Sequence, residues 1–277
     1  MPGATDRLLP RLLIGLALVF ALVFLVVPLA LIFASAFSRG WQVYADNILH
    51  PDMLHAIYLT VLTAVIVVPV NLVFGVAVAW AASRYEFPGR KLLMAMIDLP
   101  FSVSPIVAGT IYLFLYGSQG LLGPTLQGWG VQIMFSVTAI VLVSLFVTAP
   151  FVARELIPLM QAQGSEDEEA ALSLGASPWQ TFRLVTLPNI RWALLYGAVL
   201  TNARAMGEFG AVAVVSGKIR GQTATMPITI EMLYNEYLSV AAFSLAALLT
   251  LLALVTLLIK GALEIRYADQ LAAAHGH

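Results

Sequence analysis

Residues Ser165 to Pro188 read SEDEEAALSLGASPWQTFRLVTLP. This stretch is polar and well punctuated, set in a chain that is otherwise mostly apolar, and it is patterned as folded structure rather than as linker. Ser165-Glu166-Asp167-Glu168 has the form of a capping box, with Ser165 accepting from the third helical amide and Glu168 reaching back to the cap amide. Glu166 and Asp167 in the first turn favour the positive end of the helix dipole. Gly175 predicts a stop after the helix-forming run Glu169 to Leu174, because glycine takes the left-handed cap at little cost. A second start follows at once: Ser177 as cap, Pro178 at the first helical position, Gln180 completing another capping box. Pro188 is expected to close that segment. Two short helices about a glycine corner result, with Leu174, Trp179 and Phe182 lacking evident cover. An exposed apolar wedge calls for a partner, although the pattern also suits an amphipathic hairpin lying on a membrane surface.

Outward from this loop the chain is a membrane protein. With 60% of 277 residues hydrophobic and 10% charged, it cannot cover a water-facing surface with polar groups. Six apolar runs reach the roughly 20 residues that a helix needs to cross a bilayer. They are Leu12 to Phe33, Ile57 to Ala82, Leu92 to Leu115, Phe135 to Ile157, Trp192 to Val215 and Leu238 to Ile259. The first run is longer than the core of a secretory signal, so it is expected to be a retained span even though Ala34-Ser35-Ala36 resembles a cleavage site. Cysteine is absent, which excludes disulfides, thiolate metal sites and a cysteine nucleophile. His50, His55, His275 and His277 show no helical spacing to carboxylates that would suggest a metal site, and the last two read as a frayed tail. A net charge of −1 gives no sign of nucleic-acid binding.

The distribution of charge sets the topology. If the N-terminus is inside, Arg7, Arg11, Arg84, Arg90, Lys91, Arg154, Arg183, Arg191, Lys260 and Arg266 flank the cytoplasmic side. Only Arg39, Lys218 and Arg220 lie opposite, and Arg204 falls within a span. Lysine and arginine are retained inside, so both termini are expected in the cytoplasm. The segments Ser38 to Ala56 and Gly117 to Met134 then become short outer connections, and the loop at about 159–190 becomes cytoplasmic. With no linker, low-complexity tract or repeat, residues 1–277 are expected to form one transmembrane domain.

Two polar clusters interrupt the spans. Arg204 and Glu208 are spaced i, i+4, and Arg204 would lie roughly 18 Å into the membrane from Trp192. A charge there faces a cavity or a partner. The pair can be a mutual neutralisation that holds helices together, or Arg204 can supply positive potential along an anion path. Asp98-Leu99-Pro100-Phe101-Ser102-Val103-Ser104-Pro105 offers hydroxyls at Ser102 and Ser104 for an anion, with Asp98 expected to cap a restarted helix. No G-x-x-x-x-G-K-[ST] sequence occurs to bind ATP. No span carries a convergent catalytic set, so the chain is not expected to be an enzyme. A gradient-driven secondary transporter would need no such docking loop.

Glu169-Ala170-Ala171, three residues, Gly175, nine residues, then Val185-Thr186-Leu187-Pro188 resembles the EAA motif of binding-protein-dependent ABC importer permeases, E-A-A-x3-G-x9-I-x-L-P. Val185 replaces the usual isoleucine. The resemblance implies an all-α, six-span type I importer fold (MetI-like) and makes the loop a coupling helix region. Glu169, Ala170, Ala171, Gly175, Ser177, Pro178, Leu187 and Pro188 would then contact an ATPase. From about residue 51 to 260 the chain looks like the CysW-type permeases of sulfate/thiosulfate importers. The carrying segments include Phe87-Pro88-Gly89-Arg90, Asn189-Ile190-Arg191-Trp192 and Ala203-Arg204-Ala205-Met206-Gly207-Glu208-Phe209-Gly210-Ala211. T-type partners tend to carry tyrosine where Phe209 stands. Molybdate permeases share the A-R-x-x-G-E-F-G character, so molybdate, tungstate or another oxyanion is the alternative cargo. The resemblance implies a heterodimer with a T-type permease, two ATP-binding subunits that hold the ATP and Mg, and an extracytoplasmic sulfate/thiosulfate-binding protein. It places the whole in a bacterial inner membrane.

Overall fold

The computed structural model describes the backbone of residues 4–274 and the side chains of residues 11–263. His275 and His277 lie outside the described residues, as do the side chains of Arg7 and Arg266. Among the described residues all regular structure is helical, with no strand. Among the described residues five helices are long and apolar enough to cross a membrane: Arg11–Ala36, Pro51–Arg84, Val137–Gln163, Pro178–Met206 and Ser239–Leu263. A bent pair, Arg90–Ser102 and Pro105–Tyr116, makes up a sixth apolar segment. In chain order these are the first to sixth spans, the bent pair being the third.

The third span corrects a sequence expectation. Leu92 to Leu115 reads as one span with a helix restart at its prolines, and the chain turns through 109° between the two halves. Ser104 precedes Pro105 and is driven out of the helical region, to φ −58° and ψ 137°. Val103 is also extended, and the proline ring supplies no amide to continue the ladder. Asp98 does not cap the restart. Ser104 holds the cap position, without a side-chain capping bond, and Asp98 accepts from Arg154 Nε at 2.8 Å instead.

The fifth span differs at both ends. Pro188 does not stop the helix, which runs from Pro178 to Met206. Phe182–Thr186 is wound as a π turn, and the Leu187 amide donates five residues back to Phe182 O. The wider turn shifts the hydrogen-bond register just before Pro188, where a missing donor is tolerated. At the other end the helix stops at Met206 and resumes as Gly210–Val215, so Trp192 to Val215 is not one continuous helix.

The second, fourth and fifth spans pack around Val78, Ala79, Ala82, Val152, Leu156, Met160, Ile190 and Ala193. Small residues permit this approach, as they do where helices meet in lipid. A Cβ on Gly75 would stand 2.5 Å from Val152 Cβ, and one on Gly197 would stand 3.2 Å from Val152 Cα. Asn71 Nδ2 donates to Thr148 Oγ1 at 2.6 Å between the second and fourth spans. A second core joins Leu59, Ile140, Val143, Ala211, Val215 and Ile228. The first span lies outside, against the sixth. The two expected outer connections contain short helices, Trp41–Leu49 and Gly123–Gly128.

Candidate functional site

The loop after the fourth span folds as two helical pieces about a glycine corner. Its first helix, Glu166–Ser173, lacks the expected capping box: Ser165 makes no capping bond, and its Oγ donates to Glu169 Oε1. Glu168 turns inward because it has stronger partners there. Glu168 Oε2 accepts from Arg84 Nε at 2.7 Å, and Oε1 accepts from Arg84 Nη2 at 3.3 Å and from Thr186 Oγ1 at 2.8 Å. Arg84 Nη1 also donates to Met160 O at 2.7 Å. Charge-assisted, bidentate contacts of this kind outweigh a local cap.

The corner itself is as the sequence predicts. Gly175 adopts φ +89°, its amide donates to Leu172 O at 3.0 Å, and the Ala176 amide donates to Ala171 O at 3.0 Å. These are the paired bonds of a Schellman motif. The second capping box forms in full: Ser177 Oγ accepts from the Gln180 amide at 3.3 Å, and the Ser177 amide donates to Gln180 Oε1 at 2.8 Å.

Of the three apolar residues expected to be uncovered, Leu174 is 88% and Trp179 68% exposed. Phe182 is not free. It stacks between Trp80 and Trp179, with ring centroids 5.2 and 5.5 Å away. The exposed large apolar residues of the loop are therefore Leu172, Leu174, Trp179 and Leu184. Glu169, Ala170, Gly175, Ser177, Pro178 and Pro188 are exposed too, while Ala171 and Leu187 are half-buried. Sequence spacing missed Arg84, Trp80 and Thr186, since nothing local joins Glu168 to an arginine 84 positions earlier.

The polar clusters of the third and fifth spans meet at their breaks. A Cβ on Gly210 would stand 3.0 Å from Pro105 Cβ, so the restart of the fifth span abuts the restart of the third. Arg204 Nη1 lies 2.6 Å from Glu208 Oε2, in an ion pair without hydrogen-bond alignment. Glu208 Oε1 accepts from the Ala211 amide at 2.9 Å. Glu208 is 2% exposed, while the Arg204 side chain stays one-third exposed. The structure thus forms the mutual pair and leaves part of the guanidinium open. Ser102 and Ser104 are exposed at the neighbouring break. The Arg154 guanidinium lies over the Phe101 ring at 4.4 Å while bound to Asp98.

Residues 71–269 match the family described as binding-protein-dependent transport system inner membrane component. The chain is 57% identical over 258 residues to the sulfate transport system permease protein CysW of Escherichia coli (strain K12), covering 93% of this chain and 89% of that one. It is 51% identical to CysW of Synechocystis sp., with 92% of each covered. The chain belongs to this permease family, as a member of the CysW type. The permease is more distantly similar to CysT of Escherichia coli (strain K12), at 34% identity over 95% of this chain and 96% of that one. A crystal structure of a bacterial ABC transporter involved in alginate import shares the permease fold, with TM-score 0.74 and 96% of each chain covered at 18% identity.

Proposed function

We propose that this permease forms half of the membrane channel of an ATP-driven importer that carries sulfate and thiosulfate into the cytoplasm. The observation that carries the reading is the exposed apolar group of Leu172, Leu174, Trp179 and Leu184. It is held on a Schellman corner at the EAA spacing, in a chain 57% identical to a sulfate permease. Such a rigid, uncovered wedge suits a groove on a separate ATPase. Glu169, Ala170, Ala171, Gly175, Ser177, Pro178, Leu187 and Pro188 form or brace that docking surface.

Both termini and the loop lie in the cytoplasm, and residues 1–277 act as one transmembrane domain. The working unit pairs this chain with a T-type permease, two ATP-binding subunits and an extracytoplasmic sulfate/thiosulfate-binding protein. ATP and Mg are held by the ATPase. Closure of the ATPase dimer drives the wedge and its spans as rigid bodies and opens the path outward. The binding protein then releases its anion, and hydrolysis resets the channel inward. Arg204 presents part of its charge to the passing oxyanion beside the exposed Ser102 and Ser104, and Glu208 keeps that charge neutral at rest.

Reconstitution of the complete importer in vesicles tests this. ATP-dependent uptake of labelled sulfate, competed by thiosulfate more strongly than by molybdate or tungstate, is the expected result. Leu174→Asp with Trp179→Ala should abolish co-purification of the ATPase. Uptake driven by an ion gradient without ATP would overturn the importer reading, and a molybdate or tungstate preference would overturn the cargo.

A further inference from the structure

Glu168 stands one residue before the EAA sequence and points away from the exposed wedge. It carries the only carboxylate of the loop that the described residues bury. Its partner, Arg84, is the last residue of the second span. Their side chains are 12% and 10% exposed. The Arg84 guanidinium also holds Met160 O, near the end of the fourth span, and Glu168 also holds Thr186, in the π turn near the start of the fifth. One ion pair thus ties the loop to the ends of three spans. A ring stack repeats the link, since Phe182 sits between Trp80 of the second span and Trp179 of the loop.

A buried ion pair is poor evidence for stability in itself, because desolvation offsets much of the attraction. Losing one partner is costly, because the other charge is left uncompensated. What the pair supplies here is geometry. The loop helix Glu166–Ser173 is joined to the fourth span through Gly164 and to the fifth through the Gly175 corner, but it has no chain connection to the second. A push on Leu174 and Trp179 could move the loop by bending either junction. Arg84 and Glu168 close that freedom from the opposite face.

We propose that Arg84 and Glu168 are positioning residues that transmit coupling: a clamp through which movement of the docked loop becomes movement of the second, fourth and fifth spans together. The proposal rests on the permease reading. Neither residue touches ATP, ATPase or anion in this scheme, so the signature of losing the clamp is uncoupling rather than loss of docking.

The test uses the complete importer in vesicles and compares each variant with the parent chain in the same assembly. In Glu168→Gln and Arg84→Gln, the ATPase should co-purify undiminished. Sulfate taken up per ATP hydrolysed should fall roughly tenfold, a change within what single residues between two coupled sites can produce. Arg84→Lys should restore part of the ratio. The chain has no cysteine, which permits a decisive second arm with cysteine-free partner subunits. The double variant Arg84→Cys with Glu168→Cys should be uncoupled, and a short bifunctional thiol crosslinker should restore the ratio where a monofunctional reagent does not. An unchanged ratio in both glutamine variants, or a tether that restores nothing, overturns the clamp. Loss of ATPase co-purification in the glutamine variants also overturns it, in favour of a docking role. Failure of the parent chain to bind an ATPase or to import an anion would instead count against the permease reading itself.

Discussion

Arg204 and Glu208 face each other across the end of a helix, with Nη1 and Oε2 2.6 Å apart. The carboxylate that neutralises the arginine also caps the next helical piece through Ala211. Removing either member therefore has two consequences, one for stability and one for the path. Arg204→Ala should destabilise the assembled permease by about 3 to 5 kcal/mol, because Glu208 is left buried and unpaired, and thermal unfolding in detergent reads this directly. The double variant Arg204→Gln with Glu208→Gln should recover most of that loss, since both charges go and the glutamine oxygen can still accept from Ala211. Sulfate uptake that returns with stability would show the pair to be structural, whereas uptake still lost in the stable double variant supports the anion-path role.

Gly75 and Gly197 admit the fourth span at Val152. Gly75→Ala should cost about 1 to 3 kcal/mol, the usual range for overpacking, since its Cβ would fall 2.5 Å from Val152 Cβ. Adding Val152→Gly, which removes both the Cβ and the Cγ1 that stand 2.5 Å away, should recover part of it. The midpoint of thermal unfolding for the two single variants and the double variant checks this, and additive losses would refute the contact.

Gly175 has open space around its Cβ position, so its requirement is conformational alone. Gly175→Ala should cost about 1 to 2 kcal/mol at the corner, weakening ATPase binding by about tenfold. Gly175→Pro also removes the amide that donates to Leu172 O, and it should abolish transport-linked hydrolysis. Charge reversal at Glu169 should weaken docking as well. Undiminished hydrolysis in both Gly175→Pro and Glu169→Lys would count against the loop as the docking surface.

Asn71 joins the second and fourth spans through Thr148, whose own hydroxyl proton goes to Ser144 O. Asn71→Ala leaves that last bond intact. The loss should be modest, about 0.5 to 2 kcal/mol, as for other hydrogen bonds between membrane helices. A double-mutant cycle with Thr148→Val measures the coupling, and a value near zero would mean that the distance reflects proximity without energy.

Local residue patterns alone identify this chain as apolar and all-helical, with a polar loop of two short helices about a glycine corner. Hydropathy needs only local composition, and the Gly175 and Ser177 caps need only residues three to five positions apart. The EAA spacing was legible for the same reason. The tertiary structure decided what depends on distant partners. Glu168 forsakes a local cap for Arg84, Phe182 is covered by Trp80, and Asp98 goes to Arg154, since each gains more from a buried or charge-assisted contact than from its neighbours in sequence. It also decided how the prolines act: Pro105 breaks its span where the preceding residues are free to extend, while Pro188 is carried through by a π turn. A proline states only that an amide is missing, and the surrounding fold decides whether the chain turns or continues.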